Sequence, residues 1–469
     1  MAVTIKLFAF LTILLALFAV SIQQEGTALP VLNAVEQEAV YRALELINGD
    51  VPWRVIFPDD LCVSAPHGVV CDYFFDENST SSEPDSAHVT ELNFGYVSDY
   101  NSNPPCAPNA TLPFWIFSSL PHLRKLFVFN CFVGTNQVSF PDVPAGFGAA
   151  LEELVLIHNP FLNGSLTGIV RRFVNLRKLV ITGSGFYGGV PDEVGSLVRL
   201  EQMTLSNNML NGVVAGSMTN LTSLKILDLS RNEFYGPVPE SIGALRGLLK
   251  LDLSFNGFAG KIPDQIGELS ELEFLDLSYN RFQGYGVPMF LQAMMKLKEV
   301  YLSGNELGGE IPDVWEKLGG LVALGFSGIG LAGEIPESMA ASLTSLSYLG
   351  LENNSLVGKV PEEFLEMENL KEINLKNNKL SGVIRLRSNV TAKRLKLAGN
   401  PGLCVDRSLT GLSYSYRHGL RACDDVPEKP VSVPLHQRSS KTSACSILGD
   451  LASSYLLVGF IGLIFSSCL

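Results

Sequence analysis

Residues 224–247 read LKILDLSRNEFYGPVPESIGALRG, and residues 248–271 read LLKLDLSFNGFAGKIPDQIGELSE. LEFLDLSYNRFQGYGVP follows from Leu272, and LKEVYLSGNELGGEIPDVWEKLGG from Leu297. The common unit is L-x-x-L-x-L-x-x-N-x-L-x-G-x-[IV]-P, with a period of 24 or 25 residues. Ten regular units begin at 151, 176, 200, 224, 248, 272, 297, 321, 346 and 370, and their ninth position is Asn except at Ser184 and Ile329. Two irregular units precede them, at Val89 and Leu123, and a half unit closes the series at Leu395, Leu397 and Asn400. A fixed period of this length marks a solenoid. The x-x-L-x-L-x segment alternates as a strand with one buried face must. A strand that short cannot bury its leucines alone, so successive turns must stack into one parallel sheet with a cap at each end. The Asn can satisfy backbone groups otherwise orphaned inside the coil. Gly permits the sharp turn onto the convex side, and Pro fixes φ where no ladder donor is needed.

The pattern identifies an α/β repeat, the leucine-rich-repeat solenoid with a parallel concave sheet. Its L-x-G-x-[IV]-P tail resembles the plant extracellular subtype, and the resemblance covers roughly residues 31–425. The reading divides the chain into a signal peptide (1–23), an N-terminal cap with a helix and a Cys pair (24–88), repeats (89–400), a C-terminal cap (401–423), a stalk (424–443) and an apolar tail (444–469). In the N-terminal cap, Asn33 with Glu36 forms a capping-box-like helix start, and Gly49 follows the last apolar turn. The run from Trp53 through Cys62 to Cys71 resembles the paired-cysteine cap of plant leucine-rich-repeat ectodomains. An acidic, Ser-rich insert at 76–86 reads as a solvated loop.

The ends read as processing signals. Lys6 precedes an apolar run from Leu7 to Val20, and small residues follow at Ala19 and Ser21, as in a secretory leader. At the other end YLLVGFIGLIFSSCL (455–469) follows small residues at Ser443, Ala444 and Cys445 and a nine-residue spacer. That arrangement matches a glycosylphosphatidylinositol signal with Ser443 at the lipidation site; a plain terminal membrane helix is the alternative. Such a chain belongs to the secretory pathway and the outer face of the plasma membrane. Its cysteines are then read as disulfides: proximity pairs Cys62 with Cys71 and Cys404 with Cys423, which leaves Cys106 with Cys131. Six sequons, at Asn78, Asn109, Asn163, Asn220, Asn353 and Asn389, are candidate N-glycosylation sites.

The 469-residue chain has 34 Lys and Arg against 47 Asp and Glu, a net charge of −13 with no basic cluster, which argues against nucleic acid as a partner. No H-E-x-x-H, C-x-x-C, G-x-S-x-G or phosphate-binding loop occurs, and the histidines show no ligand spacing, so neither an enzyme, a metal site nor a cofactor is expected. Gly328 to Gly333 matches G-x-G-x-x-G but lies in register with the repeat, which already explains its glycines. Solenoids of this kind bind through concave side chains between the inward leucines. Position five contributes Asp228, Asp252, Asp276 and Tyr301; position eight contributes Arg231, Phe255 and Tyr279; position three contributes Phe274 and Tyr348. Aromatic rings beside carboxylates suit a basic or amphipathic peptide, although the Asp row can equally serve the strand ladder.

The whole assembly resembles plant leucine-rich-repeat receptor-like proteins without a kinase, and within them the Piriformospora-indica-insensitive type, a group related to Too Many Mouths. The resemblance implies a cell-surface component that acts with a receptor kinase in perceiving a secreted peptide or microbial ligand, with defence (immunity), symbiosis and development all open as the response. The other class considered is a secreted inhibitor of cell-wall-degrading enzymes, similar to the polygalacturonase-inhibiting proteins, which also place about ten such repeats between Cys caps.

Overall fold

A computed structural model of the chain describes residues 30–64, 66, 68–75, 84–95, 104–134, 136–385, 395–405 and 421–423. The leader, the stalk, the apolar tail, Asn78, Asn389 and Ser443 lie outside the described residues. Among the described residues, no helix is long and apolar enough to cross a membrane.

The alternating segments form a fourteen-stranded sheet whose neighbours follow chain order, from β1 (Val69–Phe74) and β2 (Ser86–Gly95) to Leu395–Lys396. β1 pairs with β2 antiparallel, and every later pair is parallel. The regular strands pair position for position: Asp228 stands opposite Asp252, Asp252 opposite Asp276, Asp276 opposite Tyr301, and Tyr301 opposite Gly325. Equivalent positions therefore form straight rows across the concave face, about 4.8 Å apart. The leucines of positions one, four and six face inward, with Leu248, Leu251 and Leu275 fully buried. Each contributes roughly 1.5–3 kcal/mol of burial free energy. Behind them, Phe234, Phe258 and Phe282 at position eleven form a spine, their rings nearly parallel at 6.1 and 6.5 Å.

The position-nine Asn accounts for the polar groups inside the coil. Asn232 Nδ2 donates to the carbonyls of Leu205 and Leu229 at 2.8 and 3.0 Å, and its Oδ1 accepts from Leu210 N. Asn256, Asn280 and Asn305 repeat the pattern one turn later each. After the Asn, the segment ending in the repeat's Gly forms something the sequence reading lacked: a second parallel sheet of seven strands, from Val138–Ser139 to Arg281–Phe282. Gly260 closes its strand at φ +85°, a conformation that other residues adopt at a cost. Pro239, Pro263 and Pro288, with φ of −68, −66 and −61°, then open the short 3-10 turns of the convex side.

The N-terminal cap corrects one expectation. Helix α1 (Ala34–Ile47) is capped by Asn33, whose side chain accepts from Val35 N. Glu36 does not reach back to complete the box; its carboxylate binds His88 Nδ1 at 2.6 Å and Val89 N at 3.0 Å, tying α1 to β2. Burial in the cap gives those two groups a stronger claim on it than an exposed helix end has. Gly49 does follow the last turn, but not at the positive φ of a glycine cap. The helix stops at Asn48, whose N–H bonds Leu44 O, while its side chain bonds Pro105 O. Disulfides join Cys62 to Cys71, Cys106 to Cys131 and Cys404 to Cys423.

The concave face as a candidate binding surface

Strand register brings the position-three, -five and -eight residues of four consecutive turns onto one patch. In the position-five row, Asp228 and Asp252 are buried and Asp276 is half-buried. Each carboxylate takes the backbone N–H and the hydroxyl of the serine two residues on: Ser230, Ser254 and Ser278. Lys250, which sequence reasoning did not single out, lies between the first two, with Nζ 2.9 Å from Asp228 Oδ2 and 3.5 Å from Asp252 Oδ2. Burial works against its ammonium, but the two carboxylates outweigh it and hold the Lys250 pKa above the ordinary lysine value. Its Nζ also sits 5.1 Å from the centre of the Phe274 ring. Asp228 and Asp252 thus serve an internal ion pair, and the structural role that the Asp row could have is present in the geometry.

Asp276 differs. Burial first, and the Asp252 charge second, push its carboxyl up to about 7, against the Ser278 hydrogen bonds and Lys250. Among the described residues no ion pair neutralises it, and the next residues in its row are Tyr301 and then Gly325.

The position-eight row is aromatic and strained. The Arg231 guanidinium lies 4.1 Å above the Phe255 ring, and Phe255 stacks on Tyr279 at 4.3 Å and 18°. All three occupy the left-handed region, at φ +54, +53 and +52°. Among the other described turns this position is Asn130, His158, Gly183, Asn207, Gly304, Gly328, Asn353, Asn377 or Gly399, all but His158 being Asn or Gly, which tolerate that backbone best. Three bulky residues therefore stand where Asn or Gly would be cheaper, by about 1–2 kcal/mol each. The sequence shows the residues but not the φ that makes them costly.

The remaining aromatics lean on glycines. A Cβ on Gly304 would lie 2.7 Å from Tyr279 Cδ1, and one on Gly325 would lie 2.8 Å from Tyr301 Cδ1. Tyr348 covers Gly350 in the same way. Tyr301 donates to Glu299 at 2.8 Å, and Phe274 lies 5.9 Å from the Tyr301 ring. Burial raises the pKa of both Tyr301 and Tyr348, with Glu299 adding to the first and Glu352 and Glu372 to the second, so both phenols are donors at any physiological pH. Of the described sequons, Asn109, Asn220 and Asn353 are exposed. Asn163 is half-buried on the second sheet, where it accepts from Ser139 Oγ. Asn353 accepts from Asn377 at the far end of the concave face.

This architecture defines a leucine-rich-repeat protein. Leucine rich repeat family models match residues 174–234, 247–269 and 296–318. The chain is similar to plant leucine-rich-repeat receptor-like proteins. Over 153 residues it is 35% identical to Piriformospora indica-insensitive protein 2 of Arabidopsis thaliana, a match covering 32% of this chain and 33% of that protein. Over 166 residues it is 32% identical to Protein TOO MANY MOUTHS of Arabidopsis thaliana, covering 35% and 26%. The match thus spans between about a quarter and a third of the length of these curated relatives. Among solved structures, a TDR receptor aligns with TM-score 0.54 at 25% identity, over 64% of this chain and 50% of that one. The Arabidopsis receptor kinase HAESA, solved with the peptide hormone IDA and the co-receptor SERK1, aligns with TM-score 0.50 at 26% identity, over 63% and 60%.

Proposed function

We propose that the chain is a cell-surface, receptor-like binding protein whose concave patch from Arg231 to Tyr301 captures a secreted peptide or microbial ligand and presents it to a receptor kinase. The observation that carries this reading is the run of Arg231, Phe255 and Tyr279 at left-handed φ. Backbone strain retained in consecutive repeats, where the fold itself asks for Asn or Gly, marks residues kept for what they touch. The likeness to an ectodomain solved with a peptide hormone and a co-receptor supports the ligand class and the need for a kinase partner. The chemistry is simple. Stacked rings supply rigid apolar area, Asp276 supplies charge, and a ligand shared between two ectodomains raises their mutual affinity by mass action. The apolar segment at 455–469, read as a lipid-attachment signal, would be cleaved and exchanged for a lipid at Ser443, and that lipid would hold the protein at the outer membrane face.

The test is the double substitution Phe255→Asn with Tyr279→Asn in the full chain expressed in plant cells. Relief of the two left-handed residues offsets the lost stacking, worth ~0.5–1.5 kcal/mol, so the melting temperature stays near that of the wild type. Ligand-dependent association with a kinase-bearing ectodomain should fall at least tenfold. Undiminished association sinks the reading. Phosphatidylinositol-specific phospholipase C should release the protein from membranes; protein already free in the medium would favour the secreted-inhibitor class.

A further inference from the structure

Past Tyr279 and Tyr301 the concave face loses its side chains. The turn that begins at Leu321 offers Ala323, Gly325, Ser327 and Gly328 at positions three, five, seven and eight. Gly350 continues the position-five row, paired with Gly325 across the strands. The result is a shallow trough floored by backbone. Tyr279 and Tyr301 lie on its Gly304 and Gly325 side, and Tyr348 lies over Gly350 on the other. The three phenols are near neighbours: Tyr348 adds to the rise in the pKa of Tyr301, and Tyr279 adds to that of Tyr348.

One side chain in the trough wall is unsatisfied. Glu352 holds position seven, which is Ser in the turns that begin at 224, 248 and 272. That position shares the concave face with position five, because Ser230 Oγ bonds Asp228 Oδ1 at 2.7 Å. The Glu352 carbonyl accepts from Gly328 N at 2.9 Å, which sets the residue against the trough floor. Its Oε2 is closed off from solvent and has no hydrogen-bond partner among the described residues. A carboxylate oxygen withdrawn from water without a donor is costly, and its natural complement is a cationic donor. The chain sets its own cations against rings twice nearby, and once against carboxylates as well. Arg231 lies over Phe255, and Lys250 sits beside Phe274 between two carboxylates. The trough has aromatic walls and a carboxylate with one oxygen unpaired among the described residues; the exposed Lys376 holds the same position in the next turn.

We propose that this trough is the seat of an arginine side chain of the peptide ligand, with Glu352 as its carboxylate and Tyr279, Tyr301 and Tyr348 as its cage. A planar guanidinium suits the site better than an ammonium. It can stack on phenol rings while its N–H fork reaches a single carboxylate, and the glycine floor lets the ligand backbone come close. The proposal rests on the peptide-binding reading above and narrows it to one residue type.

The test uses purified full-length protein and two tripeptides, acetyl-Gly-Arg-Gly-amide and its citrulline counterpart, which has the same shape without the charge. Saturation-transfer NMR titration should show at least a tenfold preference for the arginine probe. Glu352→Gln, which keeps size and removes charge, should cut that preference below threefold. Ser327→Arg supplies the cation from the chain itself and should abolish probe binding while the melting temperature rises. Equal binding of the two probes, or a preference unchanged in Glu352→Gln, overturns the proposal. A wild-type chain that binds neither probe also overturns it, and leaves the broader reading to the Phe255 and Tyr279 variant. Conversely, an intact arginine preference beside undiminished association of that double variant would keep the seat and remove the broader reading.

Discussion

Asp276→Asn should stabilise the protein, and only at neutral and alkaline pH. In the folded chain the Asp276 carboxyl is pushed up to about 7 from a reference of 3.8, chiefly by burial and then by the Asp252 charge. A carboxyl whose folded pKa is raised binds its proton more tightly folded than unfolded. The destabilisation is therefore absent below pH ~4, grows as pH climbs toward 7, and is complete above it. The shift is about 3 units, and at 1.36 kcal/mol per unit the ceiling is ~4 kcal/mol. Lys250 and Asp252 titrate in the same cluster and share that sum, so the effect on Asp276 alone is smaller. Asn keeps the geometry, since its Oδ1 can still accept from Ser278 N and Oγ. Thermal melts of wild type and Asp276→Asn from pH 4 to 8.5 should start together and diverge, with the variant higher by several degrees at pH 8. Parallel curves, or a variant less stable at pH 8, would show that a cation within the fold already neutralises Asp276 and that it offers no charge to a ligand.

Three further outcomes follow from the same geometry. Asn280→Ala strips Leu253 O and Leu277 O of a donor and Phe258 N of its acceptor. At ~1–3 kcal/mol for each buried group left unpaired, urea melts should show a loss of several kcal/mol; a change below ~1 kcal/mol would mean water replaces the amide. Gly325→Ala has no positive-φ penalty but drives a methyl against the Tyr301 ring. Near-UV circular dichroism should change, with a cost of ~1–3 kcal/mol, and an unaltered spectrum would refute the close approach. Lys250→Met leaves Asp228 and Asp252 facing each other without their cation, so the loss, ~3–5 kcal/mol near neutrality, should shrink as pH falls toward 4; a pH-independent loss would assign Lys250 to packing instead.

The solenoid was legible because its determinants are periodic. A leucine every few residues and an Asn in a fixed slot state which face is buried and which group satisfies the backbone, and Asn232 and Asn256 do what the period implies. The second sheet escaped because its strands are only four residues long, as in Glu233–Gly236, too short for an alternation to show. The helix start misled for a related reason. Asn33 acts locally and was readable, whereas Glu36 answers to His88 and Val89, more than fifty residues away. The proposed binding patch was half legible. Register placed Asp228, Asp252 and Asp276 in a row, but only packing shows that Lys250 occupies the first two and not the third.

That division follows from how a repeat is built. Inward positions answer to the neighbouring turns, so their identity is dictated and repeats. Concave positions three, five and eight answer to nothing in the stacking itself, so any departure there from the repeat's easiest residue is informative. At position eight the easiest residue is Asn or Gly, and among the described residues eight turns have one at positive φ, at Asn130, Gly183, Asn207, Gly304, Gly328, Asn353, Asn377 and Gly399. Arg231, Phe255 and Tyr279 depart from it together, in adjacent turns, and stack on one another. The glycines at 325 and 350, in the position-five row, depart in the opposite sense, removing side chains just where the aromatic row ends. A raised wall followed by a bare floor is not what stacking alone would select. That relief is what supports the proposal of a ligand chain lying across the turns, with rings against its side chains and glycine beneath its backbone.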